Sequence, residues 1–157
     1  MKFFSLRSCC LMMVFGFILS GCSSDVSLVK NGTMNGFEKI TIGKAFEASF
    51  DDPKWETFEG KKGERVVQFT GTISKDLHDA AMRGLTAREV LSIGVPPILL
   101  LASSKDKYEL DWKVGDPAKV QWLINADGKT FQLGHMGSPS WKEGVPSQGI
   151  LMIIYRS

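Results

Sequence analysis

Hydrophobic and polar residues divide this chain into a short apolar opening, a polar stretch, and then a series of alternating and helical-period segments. Lys2 and Arg7 precede or flank an apolar run of twelve residues, Ser8 to Leu19 (SCCLMMVFGFIL). A bilayer-spanning helix needs about 20 such residues. The run is therefore too short to span and has the form of a secretory signal: a positive start, an apolar centre and small residues at its end. From Ser23 to Asn35 large apolar residues are sparse, and Asn31-Gly32 and Asn35-Gly36 are turn dipeptides. This segment reads as a tether, with room for a short strand at Val26 to Val29.

Thr41 is placed to cap a helix from Ile42 to Phe50, in which Ile42, Ala45, Phe46 and Ser49 share one side at spacings of three and four. Asp51-Asp52-Pro53 is expected to end it. Lys54 to Glu59 alternates aromatic and polar residues, Gly60-Lys61-Lys62-Gly63 turns the chain, and Arg65 to Ile73 (RVVQFTGTI) alternates again, which together predicts an antiparallel hairpin. A helix is expected over Lys75 to Gly84. Thr86 and Glu89 have the spacing of a capping box for a second helix into Leu91, which Gly94 and Pro96-Pro97 end. Ile98 to Ala102 (ILLLA) has the pattern of a buried core strand.

Tyr108 to Val114 alternates and is read as a strand, broken by Gly115-Asp116-Pro117. Lys119 to Asn125 and Thr130 to Met136 flank Ala126-Asp127-Gly128-Lys129, where Asp-Gly between alternating runs is the clearest hairpin signal in the chain. Gly137 to Gly144 is a loop carrying Trp141. Ile150 to Tyr155 is a terminal helix or an edge strand, with Pro146 and Ser147 favouring the helix. Five strand-like and three or four helical segments in irregular order predict an α+β fold, a mainly antiparallel sheet with a few helices packed on it. The expected organisation is a signal peptide over 1–21, a tether over 22–35 and one globular domain over 36–157.

The apolar opening closes on Leu19-Ser20-Gly21-Cys22. Small residues followed by cysteine in this order resemble the lipobox of bacterial lipoproteins. The resemblance implies cleavage between Gly21 and Cys22 and acylation of Cys22, which attaches the chain to a membrane. Ser23 at the next position, in enteric-type lipoproteins, implies sorting to the outer membrane, facing the periplasm. The remainder, on Thr41-Ile42-Gly43, Trp55 and Asp127-Gly128-Lys129, resembles secreted bacterial domains of uncharacterised function. More distantly it is similar to small helix-plus-sheet lipoproteins of outer-membrane assembly and to the β-lactamase-inhibitor-like fold. The segment 74–118 departs from that pattern, and no functional residue carries over.

Charge and cysteine counts narrow the chemistry. The chain has 19 Lys and Arg against 17 Asp and Glu. Lys2 and Arg7 belong to the leader, which has no acid, so the chain from Cys22 onward is formally neutral. That argues against a nucleic-acid partner, which requires a basic surface to displace counterions. Of the three cysteines, Cys9 and Cys10 precede Cys22 in the leader; no disulfide is expected in the exported domain. A cysteine nucleophile is expected to be absent as well.

Only His78 and His135 are available as imidazole ligands, far apart in sequence and without a metal-ligand motif, so no metal and no cofactor are expected. Gly137-Ser138-Pro139-Ser140-Trp141 is not a nucleophile elbow. The remaining candidates for binding are four tryptophans, Trp55, Trp112, Trp122 and Trp141, a residue type enriched at interface hot spots and in cores alike. Trp122 stands out of phase with Leu123, which predicts a helix over at least one side of that strand. Trp141, in a Ser/Pro/Gly loop, is the tryptophan expected to be exposed. The expected contact surface is the sheet end bearing Trp141, His135 and Lys142. The leading expectation is a non-catalytic, membrane-anchored protein-binding module acting in assembly, inhibition or exclusion. Alternatives are a carrier of an apolar or lipid ligand lined by Val95 to Ala102, and a hydrolase using His78 or His135 with a carboxylate.

Overall fold

The computed structural model of the chain describes residues 22–83, 112–141 and 147–157. Within them the order is α1 (Cys22–Asn31), α2 (Ile42–Ser49), β1 (Phe50–Glu59), β2 (Arg65–Ile73), α3 (Lys75–Met82), β3 (Pro117–Ile124), β4 (Phe131–Gly137) and α4 (Ser147–Ile154). The strands form one antiparallel sheet in the order β1-β2-β3-β4, and with the helices they make a single α+β domain.

Strand alternation sends Val67, Phe69 and Ile73 of β2 and Val120 and Trp122 of β3 to one face, where each is fully buried. The helices supply the matching apolar surface: Val29 from α1, Ile42 and Phe46 from α2, Leu77 from α3, and Ile153 and Ile154 from α4 all join this core. Thr41 caps α2 as expected, its hydroxyl accepting from Lys44 N at 3.4 Å. Phe46 is the hub. Its ring lies 5.0 Å from Phe69, 5.3 Å from Trp122, 5.7 Å from Phe50 and 6.4 Å from Trp55, centroid to centroid.

Buried hydroxyls join the element ends. Ser74 accepts from Leu77 N at 3.1 Å as the cap of α3 and donates to Ser49 O, the last residue of α2, at 2.7 Å. Ser49 Oγ in turn lies 2.8 Å from Ile154 O, at the end of α4. At the hairpin between β3 and β4, Gly128 takes a φ of 63°, which a residue without a β-carbon adopts at little cost. Asp127 Oδ1 accepts from the backbone N–H groups of Lys129 and Thr130 at 2.9 Å each. Those backbone donors, Lys129 first, with the Thr130 hydroxyl hold the Asp127 carboxyl below its ordinary range.

Three expectations are corrected. The segment expected as a tether is α1, a helix with Val29 fully buried. Arg65 fastens it to β2, donating through Nε to Asp25 Oδ2 at 2.9 Å and through Nη2 to Oδ1, while Lys30 Nζ meets Glu47 Oε1 of α2 at 2.5 Å. Asp51-Asp52-Pro53 does not separate helix from strand; β1 runs through it with a register shift between Asp51 and Lys54 and Asp52 at a φ of 51°. An edge strand tolerates proline and a bulge because its outer backbone groups need no partner strand, and aspartate tolerates the left-handed region. Trp112 to Val114, the end of the strand expected over Tyr108 to Val114, is irregular and turning. The second helix into Leu91 and the apolar run Ile98 to Ala102 lie outside the described residues, as does the rest of that expected strand.

Candidate functional site

All four described helices pack on the same side of the sheet, and no described element packs on the other. That second face, uncovered among the described residues, is ordered in rows by strand register. Phe58, Val66, Leu123 and Gln132 stand opposite one another at one end; Glu56, Gln68, Gln121 and His135 form the middle row; Lys54, Thr70, Lys119 and Gly137 follow. Phe58 is 43% exposed, beside half-buried Leu123. In the middle row Gln121 Nε2 donates to Gln68 Oε1 at 2.6 Å, and Gln68 Nε2 donates to Glu56 Oε1. The face therefore grades from apolar through hydrogen-bonded polar to basic.

His135 belongs to this face, exposed, and borders a groove of about 660 Å³ that also touches Lys54, Thr70, Lys119 and Ser138. Trp141 does not share it. Its indole is half-buried and lies 5.8 Å from the fully buried Trp112 ring, and its Nε1 is buried without a hydrogen-bond partner. Ser140 pins the loop: its hydroxyl accepts from Lys113 N at 2.8 Å and donates to Asp116 Oδ2 at 2.5 Å. The expectation of an exposed Trp141 is thus corrected. Its burial depends on Trp112, a partner 29 positions away in sequence, which no local pattern announces. Lys142 and Gly21 lie outside the described residues, and Cys22 lies within α1.

Trp141→Ala is accordingly expected to act on stability. Losing a half-buried indole and its ring contact should cost about 1–2 kcal/mol, read as a lower urea midpoint with the slope unchanged. An unaltered midpoint would return Trp141 to the list of exposed contact residues.

The two histidines are not brought together. His78 sits on α3 behind the sheet, where its Nδ1–H donates to the carbonyl of Trp112, whereas His135 is on the uncovered face. Among the described residues no group of three or more His, Cys, Asp or Glu side chains is placed to hold a metal ion. Tyr155, stacked 4.5 Å from Phe37, has its phenol pushed up to about 12 by burial, so it stays protonated across the neutral range. Val95 to Ala102, the lining expected for a ligand carrier, lies outside the described residues. No described helix is long and apolar enough to cross a membrane.

The row arrangement is the feature that sequence reasoning missed. Alternation identifies which residues of one strand share a face, yet the pairing of Lys54 with Thr70 and Thr70 with Lys119 depends on a bulge in β1 and on strand order. Comparison of the chain with protein-family models, curated proteins and solved structures finds no match in any of the three.

Proposed function

We propose that this protein is a lipid-anchored component of a bacterial envelope that binds another envelope protein, without catalysis, through the uncovered face of its sheet. One observation carries the binding reading: a four-stranded sheet whose described helices lie on one side leaves Phe58 43% exposed, in a row with half-buried Leu123 and buried Val66 and beside a polar row and a basic one. Apolar residues ringed by polar ones are what a protein partner covers. The anchor is supported by the leader pattern ending in Leu19-Ser20-Gly21-Cys22, and the outer membrane, facing the periplasm, by Ser23.

Since Cys22 lies within α1, which is held by the Asp25–Arg65 pair, acyl chains on Cys22 would join a packed helix directly. The binding face would then stand at a fixed distance from the bilayer. This suits a partner in or on the same membrane.

The full chain, with a photo-crosslinking phenylalanine analogue at Phe58 and, in a second version, at exposed Lys44 of α2, tests the reading in the bacterium of origin. A discrete protein adduct is expected from Phe58, diminished by excess unmodified protein and absent from Lys44. Equal adducts from both positions, or none from Phe58, would overturn it. In parallel, Cys22→Ala should leave the precursor uncut and unlipidated. Normal maturation of that variant would contradict the anchor.

A further inference from the structure

We infer that the basic end of the uncovered face receives carboxylate side chains from an acidic segment of the bound protein. The inference rests on the protein-binding reading above and specifies what the partner must offer.

Register creates the site. Lys54 stands opposite Thr70, Thr70 opposite Lys119 and Lys119 opposite Gly137, so two ammonium groups flank one hydroxyl from strands about 10 Å apart. Gly137 contributes no side chain, and His135 occupies that space: a β-carbon at Gly137 would come 2.9 Å from His135 Nε2. The row thus presents Lys54, Thr70, Lys119 and the imidazole of His135, all able to donate hydrogen bonds to an anion. Lys30, Arg65 and Lys75 are each held by a carboxylate of the protein itself; among the described residues Lys54 and Lys119 have no such partner. Glu56, the acid of the adjoining row, accepts from Gln68 Nε2, and Asp52 is the acid on the groove wall.

The same geometry favours a protein over an anionic bilayer. The basic row lies in a groove between the β1 bulge and Ser138-Pro139, and Asp52 and Glu56 stand close to it, which a plane of negative headgroups would meet as repulsion. Phe58 lies four residues along β1 from Lys54, about 13 Å at strand spacing. A protein segment with apolar side chains at one end and Asp or Glu at the other covers both ends at once, gaining rate and orientation from the charges and burial from the apolar end.

The test uses the full-length protein in nanodiscs of neutral phosphatidylcholine, with dye-labelled hexaglutamate and hexalysine as probes and fluorescence anisotropy as readout. Hexaglutamate should bind in a salt-sensitive manner and hexalysine should not. Lys54→Gln with Lys119→Gln should weaken hexaglutamate binding about tenfold, the effect of losing two exposed charge pairs, while Lys129→Gln in the β3–β4 turn should leave it unchanged. No hexaglutamate binding, or binding that survives the double substitution, overturns the inference. So does tighter binding of the same row to phosphatidylglycerol vesicles than to hexaglutamate, which would assign it to a membrane. The two readings fail separately. A Phe58 photo-adduct that persists at full yield in Lys54→Glu/Lys119→Glu removes the acidic segment and leaves the binding module standing. Loss of the adduct with both lysines intact removes the binding module itself.

Discussion

Phe46→Ala is expected to destabilise the domain by about 3–5 kcal/mol, the range for emptying a fully buried aromatic site. The Phe46 side chain is completely buried and is the contact shared by Phe50, Trp55, Phe69 and Trp122. Those rings cannot close the gap at low cost, because all four are also held against one another: Phe69 lies 5.2 Å from Phe50 and 5.0 Å from Trp55, and Trp55 lies 5.6 Å from Trp122. A rigid wall leaves a cavity, and the cavity adds to the lost burial. Domains of this size have a total stability of about 5–15 kcal/mol, so the variant should lose a large share of its margin. Urea denaturation followed by tryptophan fluorescence measures it. A loss below about 1 kcal/mol would mean that the aromatic cluster collapses onto the site, and that Phe46 is not its hub.

Gly71→Val is expected to cost about 3 kcal/mol through overpacking. At Gly71 a β-carbon would meet Phe69 Cζ at 2.9 Å, Phe50 Cβ at 3.0 Å and the backbone oxygen of Asp51 at 3.2 Å. The Phe69 ring tip could swing away, but Phe50 Cβ and Asp51 O belong to the backbone region where β1 bulges over β2 and cannot move without breaking strand pairing. Gly71 therefore permits the bulge, and the bulge sets the register that places Lys54 opposite Thr70. Thermal unfolding should show a lower midpoint for Gly71→Val, with Gly71→Ala intermediate. Because the same contact holds the register, amide hydrogen exchange in Lys54 to Trp55 should rise in Gly71→Val more than in β4. Uniform protection across the sheet would separate the glycine from the bulge.

What could be read from the sequence shares one property: its cause lies within a few residues. Thr41 caps a helix through a hydroxyl and an N–H three positions on. RVVQFTGTI alternates because a pleated strand does, and it is a strand from Arg65 to Ile73. Asp127-Gly128 turns the chain because a left-handed glycine and an aspartate accepting from the next backbone donors make a tight reversal. The helix expected near the end of the chain is α4, from Ser147 to Ile154. These signals together were enough for the α+β class and the two hairpins.

Tertiary structure decided what depends on distant partners. The segment after Cys22 is weakly amphipathic and rich in serine, and it is a packed helix because Arg65 and Glu47, from other elements, meet its Asp25 and Lys30. Pro53 lies within a strand because that strand is an edge. Trp141 is half-buried because Trp112 and the Ser140–Asp116 hydrogen bond hold its loop. His78 is spoken for by a carbonyl 34 positions away. The basic row has the same origin: Lys54, Lys119 and His135 are separated in sequence, and strand order, with register shifts in the β1–β2 and β3–β4 pairings, brings them to one end of the same sheet face. Local sequence sets backbone preference over a few residues, whereas the alignment of charged groups depends on which strands pair and at what register.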